Sequence, residues 1–136
     1  MLKFFRVVLF NFITLNDDAH LKNFSLLKQN GEYRLSPAYD LINTSLHLAQ
    51  SRIFALDKGL FREGMQLSDV HQIGKSDFLK FGIRIGLPEK VVKREMNRFG
   101  CVYPFAEELI SRSFLSEELK KVYRVTMNYR IAMLGM

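Results

Sequence analysis

The chain has 136 residues, of which 48% are hydrophobic, 25% charged and only three proline, a balance that excludes a disordered tail or fibrous repeat and suits one globular domain. Its single cysteine, Cys101, excludes an internal disulfide framework, fits a reducing compartment and is expected as a small buried apolar residue. The formal charge of +6 is concentrated after position 57, where fourteen Lys and Arg stand against nine Asp and Glu, yet these residues are scattered over helix-like segments (Lys90, Lys93, Arg94, Arg98; Lys120, Lys121, Arg124, Arg130), which reads as solvated helix faces rather than one polyanion-binding block.

Residues 3–15 read as a largely apolar helix packed on most sides. Lys3 and Arg6 ahead of the apolar run Val7 to Leu15 imitate a signal peptide, but the run contains Asn11 and lacks a small-residue cleavage pattern. No other segment approaches membrane-spanning length, so no membrane association is expected. Asn16, Asp17 and Asp18 favour turn geometry and end the helix. Phe24 to Leu27 is a strand candidate, Gln29-Asn30-Gly31 tolerates the positive φ of a tight turn, and Tyr33-Arg34-Leu35 returns, which makes a hairpin. Ser36-Pro37 starts a turn, Ala38 to Leu48 is expected to be partly helical, Ser51 to Leu56 reads as a short strand and Asp57-Lys58-Gly59 as a turn.

From position 69 onward the pattern is helical. Ser76 and Asp77 are placed to cap a helix through Ile85, Gly86-Leu87-Pro88 punctuates, and Pro88 opens a second helix over Glu89 to Phe99. A third follows Pro104 over 104–114, and Ser116 with Glu117 and Glu118 begins the last. Phe78, Phe81, Phe99, Phe105 and Phe114 recur at helical spacings and are expected in the core. The expectation is a single domain over 1–136, mainly α with a small β-hairpin near its start.

Three polar residues stand out against that scaffold. Asp18 and Asn23 are five positions apart in NDDAHLKNFSLL, and Asp40 follows the hairpin in LSPAYDL. A hairpin brings its two ends together, so Asn23 and Asp40 are expected to face one small volume. Phosphoryl transfer demands a positioned hydroxyl and cations that neutralise the phosphates, and Mg²⁺ takes one or two oxygen ligands from the protein. Asp18 suits the base that accepts the attacking hydroxyl's hydrogen bond, Asn23 and Asp40 suit the metal, and His20 and Lys22 either face the transferring group or organise the loop. Zinc is disfavoured because no Cys or second His lies at ligand spacing from His20, with His47 and His71 remote. Ser25 and Cys101 lack the neighbours of a nucleophilic triad.

The segments NDDAHLKNFSLL (16–27) and YRLSPAYDLINT (33–44) resemble the signature of HipA-type serine/threonine kinases, the toxins of bacterial HipBA modules. A looser likeness runs through IFALDKGLF (53–61) and the helical remainder. The resemblance implies a mostly helical kinase C-lobe, with Asp18 as catalytic base and Asn23 and Asp40 holding Mg²⁺ near the phosphates of ATP, while His20 and Lys22 match the loop's other polar positions. It further implies a cytoplasmic bacterial protein, aminoacyl-tRNA synthetases as substrates, a HipB-like DNA-binding antitoxin as partner and thereby an indirect association with DNA.

Members of that family are about three times longer, and their N-terminal part supplies the Gly-rich loop, the ATP-pairing Lys and the hinge, none of which occurs in these residues. The 136 residues alone are therefore expected not to be a competent kinase, and to need an N-lobe, supplied by a separate chain in one reading. An uncovered apolar patch around Leu2, Phe5 and Leu9 is expected to drive homo-oligomers. The competing reading is a non-catalytic module that docks an antitoxin-like DNA-binding partner through its basic helices.

Overall fold

The computed structural model describes residues 1–47, 72–101 and 103–136. Helix α1 spans Leu2–Ile13, a 3₁₀ turn covers Leu21–Asn23, and β1 (Leu26–Gln29) and β2 (Glu32–Leu35) form an antiparallel hairpin. Four further helices follow: α2 (Lys75–Arg84), α3 (Glu89–Cys101), α4 (Tyr103–Arg112) and α5 (Glu117–Met133). The mainly helical class with one small hairpin is thus what the chain adopts.

The core is built on α1. Phe5, Val8, Leu9 and Phe12 lie at helical spacing along one stripe and are wholly buried. Phe78 and Phe81 of α2, Val92 and Met96 of α3, and Met127 of α5 close over them. The rings of Phe5 and Phe81 stack at 5.8 Å, and Phe12 meets Phe78 at 5.0 Å. Phe5 and Leu9 are therefore core residues, and the expected apolar patch around Leu2, Phe5 and Leu9 does not exist: the helices of the chain's own second half cover it. Gly82 allows α2 and α3 to approach closely, since a Cβ at that position would collide with the side chain of Val92.

Local signals account for several helix ends. Asn16 N–H bonds to Asn11 O at 2.9 Å while Leu15 takes a φ of 57°, a left-handed stop to α1 built on leucine rather than glycine. Helix α2 starts two residues early relative to the sequence expectation: Gly74 is its N-cap, and Asp77 accepts the Gly74 N–H at 3.0 Å instead of acting as the cap with Ser76. Ser116 caps α5 as expected, its Oγ accepting Leu119 N–H at 3.3 Å.

The hairpin turns through Asn30 and Gly31, with φ of 52° and 82°, in the register Gln29 opposite Glu32. Two successive positive φ values are what a two-residue hairpin loop requires, and Asn-Gly meets them with least strain. The strands begin two residues later than Phe24, which turns inward to lie edge-on against Phe4 at 5.0 Å.

Other expectations are corrected. Residues 38–47 form no helix; the segment has no regular secondary structure through Thr44 and turns at 45–47. Cys101 is exposed rather than buried. Phe105 and Phe114 are also exposed, at 59% and 109%, because α4 turns Glu107 and Ile110 inward and Phe114 sits in the open turn before α5. Lys120 and Arg130 are buried rather than solvated. The strand at 51–56, the turn at 57–59, the stretch 53–61 and His71 lie outside the described residues.

Candidate functional site

The segment that leaves α1 is held by buried polar contacts. Thr44 ties its two sides together: its N–H and Oγ1 donate to Leu15 O at 3.1 and 3.2 Å, and its Oγ1 accepts Asp17 N–H at 2.9 Å. Asn16 Nδ2 donates to Asn11 Oδ1 at 3.2 Å and to Asp40 O at 2.7 Å. The peptide that carries Asp40 is therefore pinned to the end of α1. Asp40 itself has a φ of 55°, a left-handed conformation that Asp and Asn tolerate better than most side chains.

Asn23 closes the other side. Its Nδ2 donates to Asp40 Oδ2 at 2.8 Å. A carboxylate only accepts, so this bond fixes which end of the amide is nitrogen. The carbonyl end, Asn23 Oδ1, is buried and has no partner. The hairpin's two ends are cinched beside it: Tyr39 Oη donates to Lys22 O at 3.1 Å and meets Ser25 Oγ at 2.7 Å. The expected convergence of Asn23 and Asp40 is thus a direct bond.

Asp18 and His20 form a second pair. His20 Nδ1 lies 2.7 Å from Asp18 O and 3.8 Å from the Asp18 carboxylate, whose side chain is 69% exposed. Lys22 is exposed and contributes its carbonyl to Tyr39 while its ammonium faces water. No hydrogen bond or ion pair joins the Asp18 carboxylate to Asn23 or Asp40. The five candidate residues therefore fall on one short stretch of surface, as a tight Asn23–Asp40 pair and an open Asp18–His20 pair.

Helix α5 supports this stretch from behind. The Arg130 guanidinium lies 4.5 Å from the centre of the Phe12 ring. Burial pushes Arg130 below the usual guanidinium range, and the charge of buried Asp17 works against that shift. Burial likewise raises Tyr123 above the ordinary phenol range, offset by the Asn43 side chain facing it. Asn43 Nδ2 has no partner in hydrogen-bond geometry, so this is a polar approach rather than a formed bond. Asn11, Asn16, Thr44 and Arg130 do not emerge from the sequence as site residues. The one signal available is that each is a polar side chain within or beside an apolar helix pattern or next to a candidate ligand.

The donor set suits a hard cation with few protein ligands. A buried amide oxygen without a partner sits on the same side chain that holds a carboxylate, and Mg²⁺ takes such oxygens while keeping most of its water. Among the described residues no group of three or more His, Cys, Asp and Glu gathers, and no helix is long and apolar enough to cross a membrane.

A family model described as HipA-like C-terminal domain matches residues 1–102. A Haemophilus influenzae protein, named provisionally as a kinase, is 26% identical over 143 residues, covering 97% of this chain and 41% of that protein. A chain of the Shewanella oneidensis MR-1 toxin–antitoxin complex of HipA, HipB and operator DNA superposes with a TM-score of 0.75 at 22% identity, over 98% of this chain and 31% of its own length. The 136 residues thus span well under half of the curated relative and about a third of the solved chain.

Proposed function

The chain belongs to the family of HipA-like C-terminal domains, and on that premise we propose that it is the metal-holding C-lobe of a HipA-like serine/threonine kinase, transferring phosphate from ATP to a protein hydroxyl with Mg²⁺. The observation that carries the reading is the Asn23–Asp40 pair, with its bond of 2.8 Å and the unspent buried oxygen of Asn23. In this reading Asn23 Oδ1 and Asp40 hold Mg²⁺, which neutralises charge on the phosphates. Asp18, exposed on the loop, accepts the hydrogen bond of the incoming hydroxyl and orients it. His20 keeps the Asp18 peptide in place through its 2.7 Å contact with the carbonyl, and Lys22, free to swing, meets the anionic group.

The likeness to a chain from a toxin–antitoxin complex supports a HipB-like partner and, through it, DNA association. A cytoplasmic setting and an aminoacyl-tRNA synthetase as the phosphorylated protein remain part of the family-level proposal. Contacts that cover ATP come from outside these 136 residues, on the same polypeptide or on a separate chain, so the 136 residues alone do not turn over. The test is transfer of labelled phosphate from ATP·Mg²⁺. The isolated residues give none, addition of the N-lobe restores it, and Asp18→Ala abolishes it again. Transfer by the isolated residues, or restored transfer that survives Asp18→Ala, overturns the proposal.

The second reading, a docking module without catalysis, draws on the charge of +6 and the same structural likeness. It expects salt-dependent binding to an antitoxin or duplex with no phosphate transfer even when the N-lobe is present.

A further inference from the structure

Away from the site described above, Arg6 in the first half of α1 faces the last turns of α3 across a cleft of about 260 Å³ lined by Arg6, Glu95, Arg98 and Phe99. Glu95 is 2% exposed. Its carboxylate accepts Arg6 Nε at 2.7 Å and Arg6 Nη2 at 3.0 Å, and Arg94 Nη2 at 3.2 Å. Three N–H groups therefore occupy the one anion in the cluster, which is closed to solvent. A solute entering the cleft meets guanidinium rather than carboxylate.

The bidentate grip of Glu95 also holds the Arg6 fork in one orientation, which removes much of the entropy cost of recruiting it. Arg98, one turn beyond Arg94 on the same face of α3, makes no hydrogen bond or ion pair with any described residue. Three arginines against one glutamate leave the cluster with two net positive charges. Phe99, half-buried against the core, supplies an apolar wall beside them. Fixed and free guanidinium groups, an apolar wall and a cavity of small-molecule size are what an anionic head with an apolar body requires.

We propose that the Arg6–Arg98 cleft is a binding site for a phosphomonoester, its dianion held by the guanidinium groups of Arg6 and Arg98 and its organic portion lying against Phe99. The ligand is either a free metabolite or a phosphorylated side chain, and the chemistry recognised is the same. The site is independent of the Asn23–Asp40 pair and needs no divalent cation.

The test uses the isotope-labelled full chain in EDTA, titrated with phenyl phosphate and followed by the NMR signals of the arginine Nε–H groups. Saturable shifts at Arg6 and Arg98 are expected, with affinity falling at least tenfold in Arg98→Gln and unchanged in Asp40→Asn. Inorganic phosphate is expected to bind at least threefold more weakly than phenyl phosphate. A phosphoserine peptide that binds more tightly than phenyl phosphate identifies the ligand as a modified side chain; one that binds more weakly identifies a free metabolite. No saturation, equal affinity in Arg98→Gln, loss of binding in Asp40→Asn, or equal affinity for inorganic phosphate overturns the proposal. So does a duplex that requires Arg98 while phenyl phosphate does not bind. Arg98 is exposed, so its substitution leaves the fold intact, and an unchanged melting temperature verifies this.

Discussion

Asn23 spends its amide nitrogen on Asp40 Oδ2 at 2.8 Å and keeps its carbonyl oxygen buried and unpaired. A buried acceptor without a donor costs about 1–3 kcal/mol in an ordinary interior. A cation held there, as proposed, would offset that cost.

Asp40→Asn separates the proposed metal role from the fold. Asn adopts the left-handed φ of 55° as readily as Asp and still accepts from Asn23, so stability is expected to change by less than about 0.5 kcal/mol. Removal of the only carboxylate in the pair is expected to weaken Mn²⁺ binding, read by electron paramagnetic resonance, at least tenfold. Asn23→Ala should weaken it similarly while leaving the Asp40 backbone signals in place.

Thr44 holds the loop independently of any ligand. Thr44→Val keeps the shape but leaves the buried Asp17 N–H without its acceptor, and is expected to cost roughly 1–3 kcal/mol in urea unfolding. Thr44→Ser retains the hydroxyl and should recover most of the loss. A larger loss in Thr44→Ser than in Thr44→Val would mean that the methyl group, not the hydroxyl, carries the effect.

Some of this architecture is legible in the sequence alone. Asn30-Gly31 announces a two-residue hairpin because few residue pairs accept two positive φ values, and the hairpin then implies that Asn23 and Asp40 meet. Ser116 followed by Glu117 and Glu118 likewise marks the start of α5. Thr44 is different: a threonine in an irregular segment has no periodicity, and its three hydrogen bonds depend on how residues 27 and 29 positions away in sequence are brought together. Arg130 looks like one more solvated cation, since helical spacing does not reveal which neighbour will cover it. The fate of Phe105 and Phe114 was hidden for the same reason. Which face of α4 turns inward is decided by Arg124 of α5 binding Glu107 and Ser111.

Close packing of α2 on α3 gives a test of the scaffold. Gly82→Ala places a methyl group against Val92, whose side chain is buried and cannot retreat far. Overpacking of this kind costs about 1–3 kcal/mol, outweighing the gain in helix propensity of roughly 1 kcal/mol. A net loss of stability is expected on thermal melting, and a gain would show that α3 can shift.

The Arg6–Glu95 pair makes stability depend on pH. Hydrogen bonding from Arg6 holds the Glu95 carboxyl below its ordinary value of 4.5, against the opposing effect of burial, with Arg94 adding to the shift. A depressed carboxyl contributes stability that is complete above its unfolded pKa and lost as pH falls through the folded one. Unfolding free energy should therefore decline below about pH 4.5, more steeply in the wild type than in Glu95→Gln. Because Arg6 is 40% exposed, Glu95→Ala is expected to cost about 2 kcal/mol at pH 7, less than the 3–5 kcal/mol typical of a fully enclosed pair.

The charge of Asp17, the residue before Asp18, acts on Arg130 at the far end of α5. Both are buried, the Asp17 charge favours the protonated guanidinium, and Arg130 also covers the Phe12 ring at 4.5 Å. Arg130→Met preserves most of the packing but leaves the Asp17 carboxylate without that cation, so the single substitution should destabilise by about 2 kcal/mol. Asp17→Asn removes the charge that suffers from the loss. If the two groups act through each other, the double substitution will be less damaging than the sum of the singles by about 1 kcal/mol, a coupling that a double-mutant cycle in urea reads directly. Strict additivity would reduce Arg130 to a packing residue over Phe12.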